Sequence, residues 1–314
     1  MKRFLIKLGI TSAILLLIMW GLDYIITRSL WHSKTQMLDR YNTVYWDTTN
    51  YDMLIMGHSR GMVQYNPQIL DSILNVNSYN VSCNGRAIDA QVNIFNAYCR
   101  NHTAPKIVIQ NIDQLTLHMS NMYEREQYLP YIIHDKELYK ATKETERFNW
   151  SDRAIPLKRY AGYFNMIKEG LHIKNKMYNP SNEYKGYEGR EQLWDGEGFN
   201  KVDRIEFETN PQAVEMFEGY LSCCKADSIH VIFVFAPMYI GIAEKMGSDI
   251  DTMFDLFQSF ADRYDYPILN YTYDSICFDT LNFYNASHLN CQGAEQFSIK
   301  LANDIKELLD SIGD

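Results

Sequence analysis

Short apolar runs alternate with longer amphipathic patterns along most of the chain. That rhythm predicts a parallel sheet whose strands are buried on both faces, with helices packed against it. Residues 53–56 (MLIM) read as a first buried strand closed by Gly57. Asn66 before Pro67 supplies an N-cap and a first helical residue with φ already set, so a helix is expected through Leu74. A short strand over 79–82, a helix over 89–99 and a β-branched strand over 106–110 follow. Asn210-Pro211 repeats the capping signal and opens a helix to Lys225. Residues 229–236 (IHVIFVFA) form the clearest strand, stopped by Pro237. A helix over 249–264, a strand over 268–271 and a closing helix over 293–312 complete the pattern, the last with Phe297, Leu301, Ile305 and Leu308 on one face.

Between about Leu117 and Thr209 the alternation stops, and Tyr, Lys, Glu and Gly dominate. A structureless loop of that length is foreign to a compact domain, so residues 118–209 read as an insertion with some helix, covering one end of the sheet. The expected fold is α/β, a three-layer sandwich around a central, mostly parallel sheet of flavodoxin-like type, spanning 51–314 and enlarged by that insertion.

The N-terminus follows a different pattern. Residues 8–22 carry no charge, and from Phe4 onward only Lys7 interrupts the apolar run. A helix over 4–22 spans about 28 Å, close to a hydrocarbon layer of ~30 Å, and Lys7 can snorkel to the headgroups. Lys2, Arg3 and Lys7 precede the run, so the positive-inside rule keeps the N-terminus cytoplasmic and carries the body across. A cleavable signal peptide has the same charge order but needs small residues at its cleavage site, where Trp20, Asp23, Tyr24, Ile25 and Ile26 stand. The preferred reading is an uncleaved anchor over 1–27, a polar stalk over 28–50, and a body on the extracytoplasmic side.

Composition narrows the field. The 314 residues hold 30 Lys+Arg against 39 Asp+Glu, a net charge of −9, and this acidic balance argues against a nucleic-acid partner. An apolar share of 46% suffices for a sizeable core and excludes wholesale disorder. Six cysteines are too few for a disulfide scaffold; Cys83, Cys99, Cys277 and Cys291 can pair in an exported body or serve as small buried hydrophobes. No Walker loop, GxGxxG or HExxH occurs, and the eight histidines lack metal-ligand spacing, so neither a cofactor nor a metal is expected.

The chemistry concentrates in four short segments. Gly57-His58-Ser59-Arg60 places a serine at the carboxyl end of the first strand, where ligands bind in open α/β sheets. Such a serine alone is usually a helix cap. Asn285-Ala-Ser-His288 lies in a loop just before the closing helix, from which a histidine can reach back to the same sheet edge and act as base for that serine. Gly85, after the second strand, can present a bare backbone N–H to an oxyanion, and Asn111, after the third, a side-chain amide. Read singly, these two are an ordinary turn glycine and an Asx-turn asparagine.

This order of blocks resembles the SGNH/GDSL hydrolase superfamily, in particular its membrane-anchored envelope branch, which includes D-alanyl transfer protein D and polysaccharide O-acetyl-processing proteins. The serine block reads Gly57-His58-Ser59 rather than Gly-Asp-Ser, the glycine block matches at Gly85, and Asn111 stands two residues before Asp113 rather than directly before it. The last block carries Asn285 where the family has aspartate, followed by a similar Leu289-Asn290 and Gly293-Ala294. The resemblance covers about 51–117 and 228–309. It implies a serine esterase or O-acyltransferase acting on an acylated polysaccharide or related envelope polymer, with Ser59, His288 and Asn285 catalytic, Gly85 and Asn111 as oxyanion donors, and a membrane acyl-transfer protein as a further partner.

Asn285 leaves three outcomes open. A backbone carbonyl or Asp279 orients His288, a Ser59–His288 dyad works slowly, or the site only binds. The alternative function is therefore an inactive glycan-binding or assembly protein of the envelope. Tyr187 and Trp194, set among glycines, read either as a stacking platform for sugars or as packing of the insertion.

Overall fold

A computed structural model describes residues 1–122, 124–172, 183–197, 199 and 204–313. By internal contacts the chain forms two units, one built from 1–47 and 121–179, the other from 48–120 and 180–314. In chain order the elements run α1 (Lys2–Leu30), α2 (Gln36–Trp46), β1 (Met53–Met56), α3 (Ser59–Gln64), α4 (Pro67–Leu74), β2 (Ser78–Asn80), α5 (Ile88–Asn101) and β3 (Ile107–Asn111). Then come α6 (Lys136–Glu144), α7 (Trp150–Ala154), α8 (Phe164–Gly170), a hairpin of β4 (Glu183–Tyr184) and β5 (Tyr187–Glu188), and α9 (Pro211–Ala226). The remainder is β6 (His230–Phe235), α10 (Ile240–Met246), α11 (Asp249–Tyr264), β7 (Ile268–Asn270), a second hairpin of β8 (Phe283–Asn285) and β9 (His288–Leu289), and α12 (Cys291–Gly313).

The second unit is the expected α/β sandwich. Its sheet has the order β2-β1-β3-β6-β7 and every pairing is parallel. β1, β3 and all but the first residue of β6 are fully buried, because helices cover both faces of the sheet. Phe297, Leu301 and Ile305 of α12 lie in one core cluster with Met53, Ile55, Ile109 and Ile232, so the apolar stripe of the closing helix faces the sheet. The capping signals work as expected: Asn66 Oδ1 accepts from Gln68 N–H, and Asn210 Oδ1 from the N–H groups of Gln212 and Ala213. Strand order reverses direction about β1, where the chain steps to β2 on one side and then to β3 on the other. That switch point places the turns after β1, β2 and β3 at one end of the sheet.

The first unit is helical. In α1, residues 4–18 are exposed and the burial begins at Asp23, Ile26, Thr27 and Leu30. The helix is long and apolar enough to cross a membrane. Asp23 accepts from Arg159 at 2.5 Å and from the N–H of Leu157 at 2.6 Å, while Thr27 meets both Arg159 and the Tyr160 hydroxyl. Within the stretch read as a stalk, α2 buries Leu38, Tyr41 and Val44, and Tyr131 hydrogen-bonds Asn42. Residues 118–209, read as one insertion, divide between the two units: 121–179 join α1 and α2, whereas 180–209 belong with the sheet. Among the described residues no disulfide joins the six cysteines, of which Cys83, Cys224 and Cys277 are buried.

Candidate active site

The turn after β1, which carries Ser59, is shaped by close backbone packing. A Cβ on Gly57 would come within 2.9 Å of the Asn111 Cβ, and one on Gly61 within 2.9 Å of the Ser82 Cβ. Both positions need glycine so that the turns after β2 and β3 can close on the turn after β1. Asn80 tightens this by donating to the carbonyls of Gly61 and Tyr65, and Cys83 N–H donates to Gly57 O. Ser59 is therefore the first residue of α3, with its N–H ahead of the helix's own hydrogen bonds.

His288 arrives from the far end of the chain on the β8–β9 hairpin. Asn285 and His288 are cross-strand partners across the two-residue Ala286-Ser287 connection. This gives the three-residue offset its meaning, since positions i and i+3 of such a turn face each other. The hairpin is anchored by Asn290, which donates to the carbonyls of Leu281 and Phe283 and accepts from Gly293 N–H at the start of α12. A Cβ on Gly293 would strike the Asn282 carbonyl oxygen, so the Asn290 and Gly293 of the last block hold the hairpin in place.

These supports bring His288 Nε2 to 2.7 Å from Ser59 Oγ. On the other ring nitrogen, Nδ1 lies 2.9 Å from Asn285 Oδ1 and 2.9 Å from Ser287 Oγ. The Asn285 amide cannot be turned round, because its oxygen also accepts the backbone N–H of Ser287 at 3.0 Å. A main-chain N–H only donates, so it requires an oxygen there. Nδ1 therefore carries the hydrogen, and Nε2 presents its lone pair to the serine. Tyr284 stacks on the ring at 5.3 Å. Asp279, the carboxylate considered as an orienting group, instead caps the short turn before β8 by accepting from Leu281 N–H.

A second histidine flanks the serine, and nothing in the spacing of motifs singled it out. His58 Nε2 donates to Asp113 at 2.7 Å, leaving Nδ1 3.4 Å from Ser59 Oγ. Asp113 also accepts from Arg60 Nε at 2.9 Å, from the Asn111 amide at 3.2 Å and from Leu115 N–H at 2.8 Å. His58, Arg60, Asn111 and Asp113 are all buried. The available signal was the run of polar residues at the ends of two strands that are otherwise wholly apolar. Buried side chains of this kind stand only when they satisfy one another.

Burial pushes both histidines down to about 3; the nearby Arg60 charge adds to this for each, and His58 and Arg190 add to it for His288. Both rings are therefore neutral at pH 7. The Arg60 guanidinium is itself lowered to about 10 by burial, and so remains a cation.

The expected oxyanion groups are placed differently from each other. Gly85 lies exposed in the turn after β2 with φ of 67°, a conformation that favours glycine. Asn111 accepts from the Tyr65 hydroxyl at 2.8 Å and donates to Asp113, so its amide braces the core beneath the turn. Tyr187 is buried in the core cluster, and Trp194 packs edge-on against Phe199 and Tyr239. A cavity of about 580 Å³ beside the β4–β5 hairpin is lined by Tyr187 together with Asn66, Tyr184, Glu191 and Glu295.

No known family pattern matches this chain, and no curated protein does. Among solved structures it is similar to a Bacteroides fragilis NCTC 9343 protein provisionally described as an acylhydrolase. The identity is 10%, over 90% of this chain and 97% of that one, with a TM-score of 0.42. It is also similar to a protein of Desulfitobacterium hafniense DCB-2 provisionally described as lipolytic and of the G-D-S-L family. There the identity is 8%, over 80% and 98% of the two chains, with a TM-score of 0.38.

Proposed function

We propose that this chain is a membrane-tethered serine esterase or O-acyltransferase of the SGNH type, acting on acyl esters of an envelope polysaccharide or related polymer. The observation that carries the chemistry is the contact of Ser59 Oγ with His288 Nε2, with the opposite ring nitrogen held by Asn285. Ser59 Oγ attacks the ester carbonyl while its proton passes to His288 Nε2. The oxyanion that forms is met by the N–H groups of Ser59 and Gly85 and by the remaining N–H of the Asn111 amide. Collapse breaks the bond to the leaving oxygen, which takes the proton from His288 as it departs. Water or a sugar hydroxyl then gives its proton to His288 and attacks the acyl-serine, so hydrolysis and transfer share one intermediate.

The envelope setting rests on α1. Cleavage after the apolar run would strip Asp23 from the buried Arg159, leaving a charge without its counter-ion, which favours a retained anchor. The basic residues ahead of α1 favour a body outside the cytoplasm.

Labelling of the full chain in detergent by a serine-reactive phosphonate, with hydrolysis of aryl acetates in parallel, tests this reading. Wild type is expected to label and turn over, and Ser59→Ala to do neither. Equal behaviour of the two proteins removes the catalytic proposal. It leaves the second reading, a glycan-binding or assembly protein, which the missing carboxylate at Asn285 favours.

A further inference from the structure

The helical unit carries apolar side chains that its own core does not cover. Beyond α1 and Trp46, its exposed large hydrophobic residues among those described are Trp150, Ile155, Phe164 and Leu171, with Trp150 and Phe164 each 70% exposed. All four lie in one stretch, and that stretch is bound to the same part of α1.

The length of α1 locates this patch. At ~1.5 Å per residue, a hydrocarbon layer of ~30 Å takes up about 20 residues. Counted from Phe4, it ends near Asp23. Trp20 and Tyr24, 48% and 64% exposed, stand at that level, where aromatic residues collect at membrane surfaces. Asp23 is the residue that holds Leu157 N–H and Arg159. Ile26 packs against Gly170, where a Cβ would come within 2.7 Å, and Ser29 Oγ meets His172 Nε2 at 2.9 Å. These last two contacts advance together along both segments, so α8 follows α1 and begins, at Phe164, on the Asp23 side. Over 150–172 there are four basic side chains against two acidic ones, in a chain whose net charge is −9.

We infer that Ile155 and Phe164 rest in the interfacial layer of the membrane that α1 spans, fixing the helical unit against the lipid surface. The inference depends on α1 being a retained span, as proposed above. The patch continues the aromatic level of Trp20 and Tyr24 on a second part of the chain. Its basic neighbours Lys158 and Lys168 can reach lipid phosphates with their heads while their stems lie along the apolar layer.

The full chain reconstituted in phosphatidylcholine–phosphatidylglycerol vesicles with brominated acyl chains tests both claims separately. Trp20, read as the difference between wild type and Trp20→Phe, reports the span. Phe164→Trp reports the surface contact, and Leu193→Trp on the other unit serves as the control. The added Trp at 164 is expected to be quenched about twofold more than that at 193 and to emit further to the blue, as a ring at headgroup depth should. Quenching at 20, with quenching at 164 no greater than at 193, overturns the surface contact and leaves the span standing. No quenching at 20 overturns both.

Discussion

Replacing Asn285 by aspartate separates two roles that a carboxylate normally fills together. The amide oxygen already fixes the ring's tautomer, but in the proposed reaction it brings no charge to stabilise the imidazolium formed when Ser59 gives up its proton. In a serine protease with a Ser-His-Asp triad, Asp-to-Asn exchange lowers kcat by ~10⁴ through the wrong tautomer. Here the tautomer is right, so Asn285→Asp is expected to gain less, about tenfold in kcat, or ~1.4 kcal/mol. It should also raise the acid limb of the kcat/KM profile toward neutrality. In the natural protein that limb is expected well below pH 6.5, because burial and neighbouring cations push His288 down to about 3. Pre-steady-state release of an aryl leaving group across pH 4–8 reads both effects; a variant no faster than wild type would remove charge from the account.

The ends of β1 and β3 are tied by Asp113, which joins His58 and Arg60 from one turn to Asn111 from the other. Asp113→Asn leaves the Arg60 cation buried without its counter-ion, and a loss of about 3–5 kcal/mol in unfolding free energy is expected from urea melts. A second element-level test lies in the β4–β5 hairpin. Gly186 has φ of 81°, and a Cβ there would strike the Asn80 carbonyl at the end of β2. Gly186→Ala should cost roughly 2 kcal/mol or more by strain and clash together, measured in the same way. Strands and capped helices were readable from the sequence because each is a local pattern: β1 falls on 53–56, α11 on 249–264 and α4 on 67–74, as expected. The short α3 and α10 and the β8–β9 hairpin were not. Their residues lack a period of their own, and α3 and the hairpin meet through the Ser59–His288 contact across 229 residues. At the site, the serine, histidine and their partner Asn285 could be read from motif order. His58 and Asp113 could not, because their pairing across 55 residues exists only once β1 and β3 lie side by side.

Across the molecule, both histidines beside Ser59 bear on stability. Each is neutral when folded, lowered to about 3, and ordinary when unfolded, near 6.5. The stability this represents is full above pH 6.5 and is lost as pH falls toward 3, since the unfolded chain takes up protons first. At pH 5 the loss is of order 2 kcal/mol per histidine, so the thermal midpoint should drop between pH 7 and pH 5. His58→Gln should flatten that dependence. The division into two units was the part of the architecture that sequence pattern did not reveal. One unit is assembled from 1–47 and 121–179, pieces with no shared motif, so periodicity had no means of joining them. Asp23 shows what that assembly demands in time. Its partner Arg159 lies 136 residues later, and at 5–20 residues per second the carboxylate waits about 7–27 s during synthesis for the cation that covers it. Over that interval the end of the first helix is a charged, half-built surface, open to whatever the nascent chain meets before Arg159 is made.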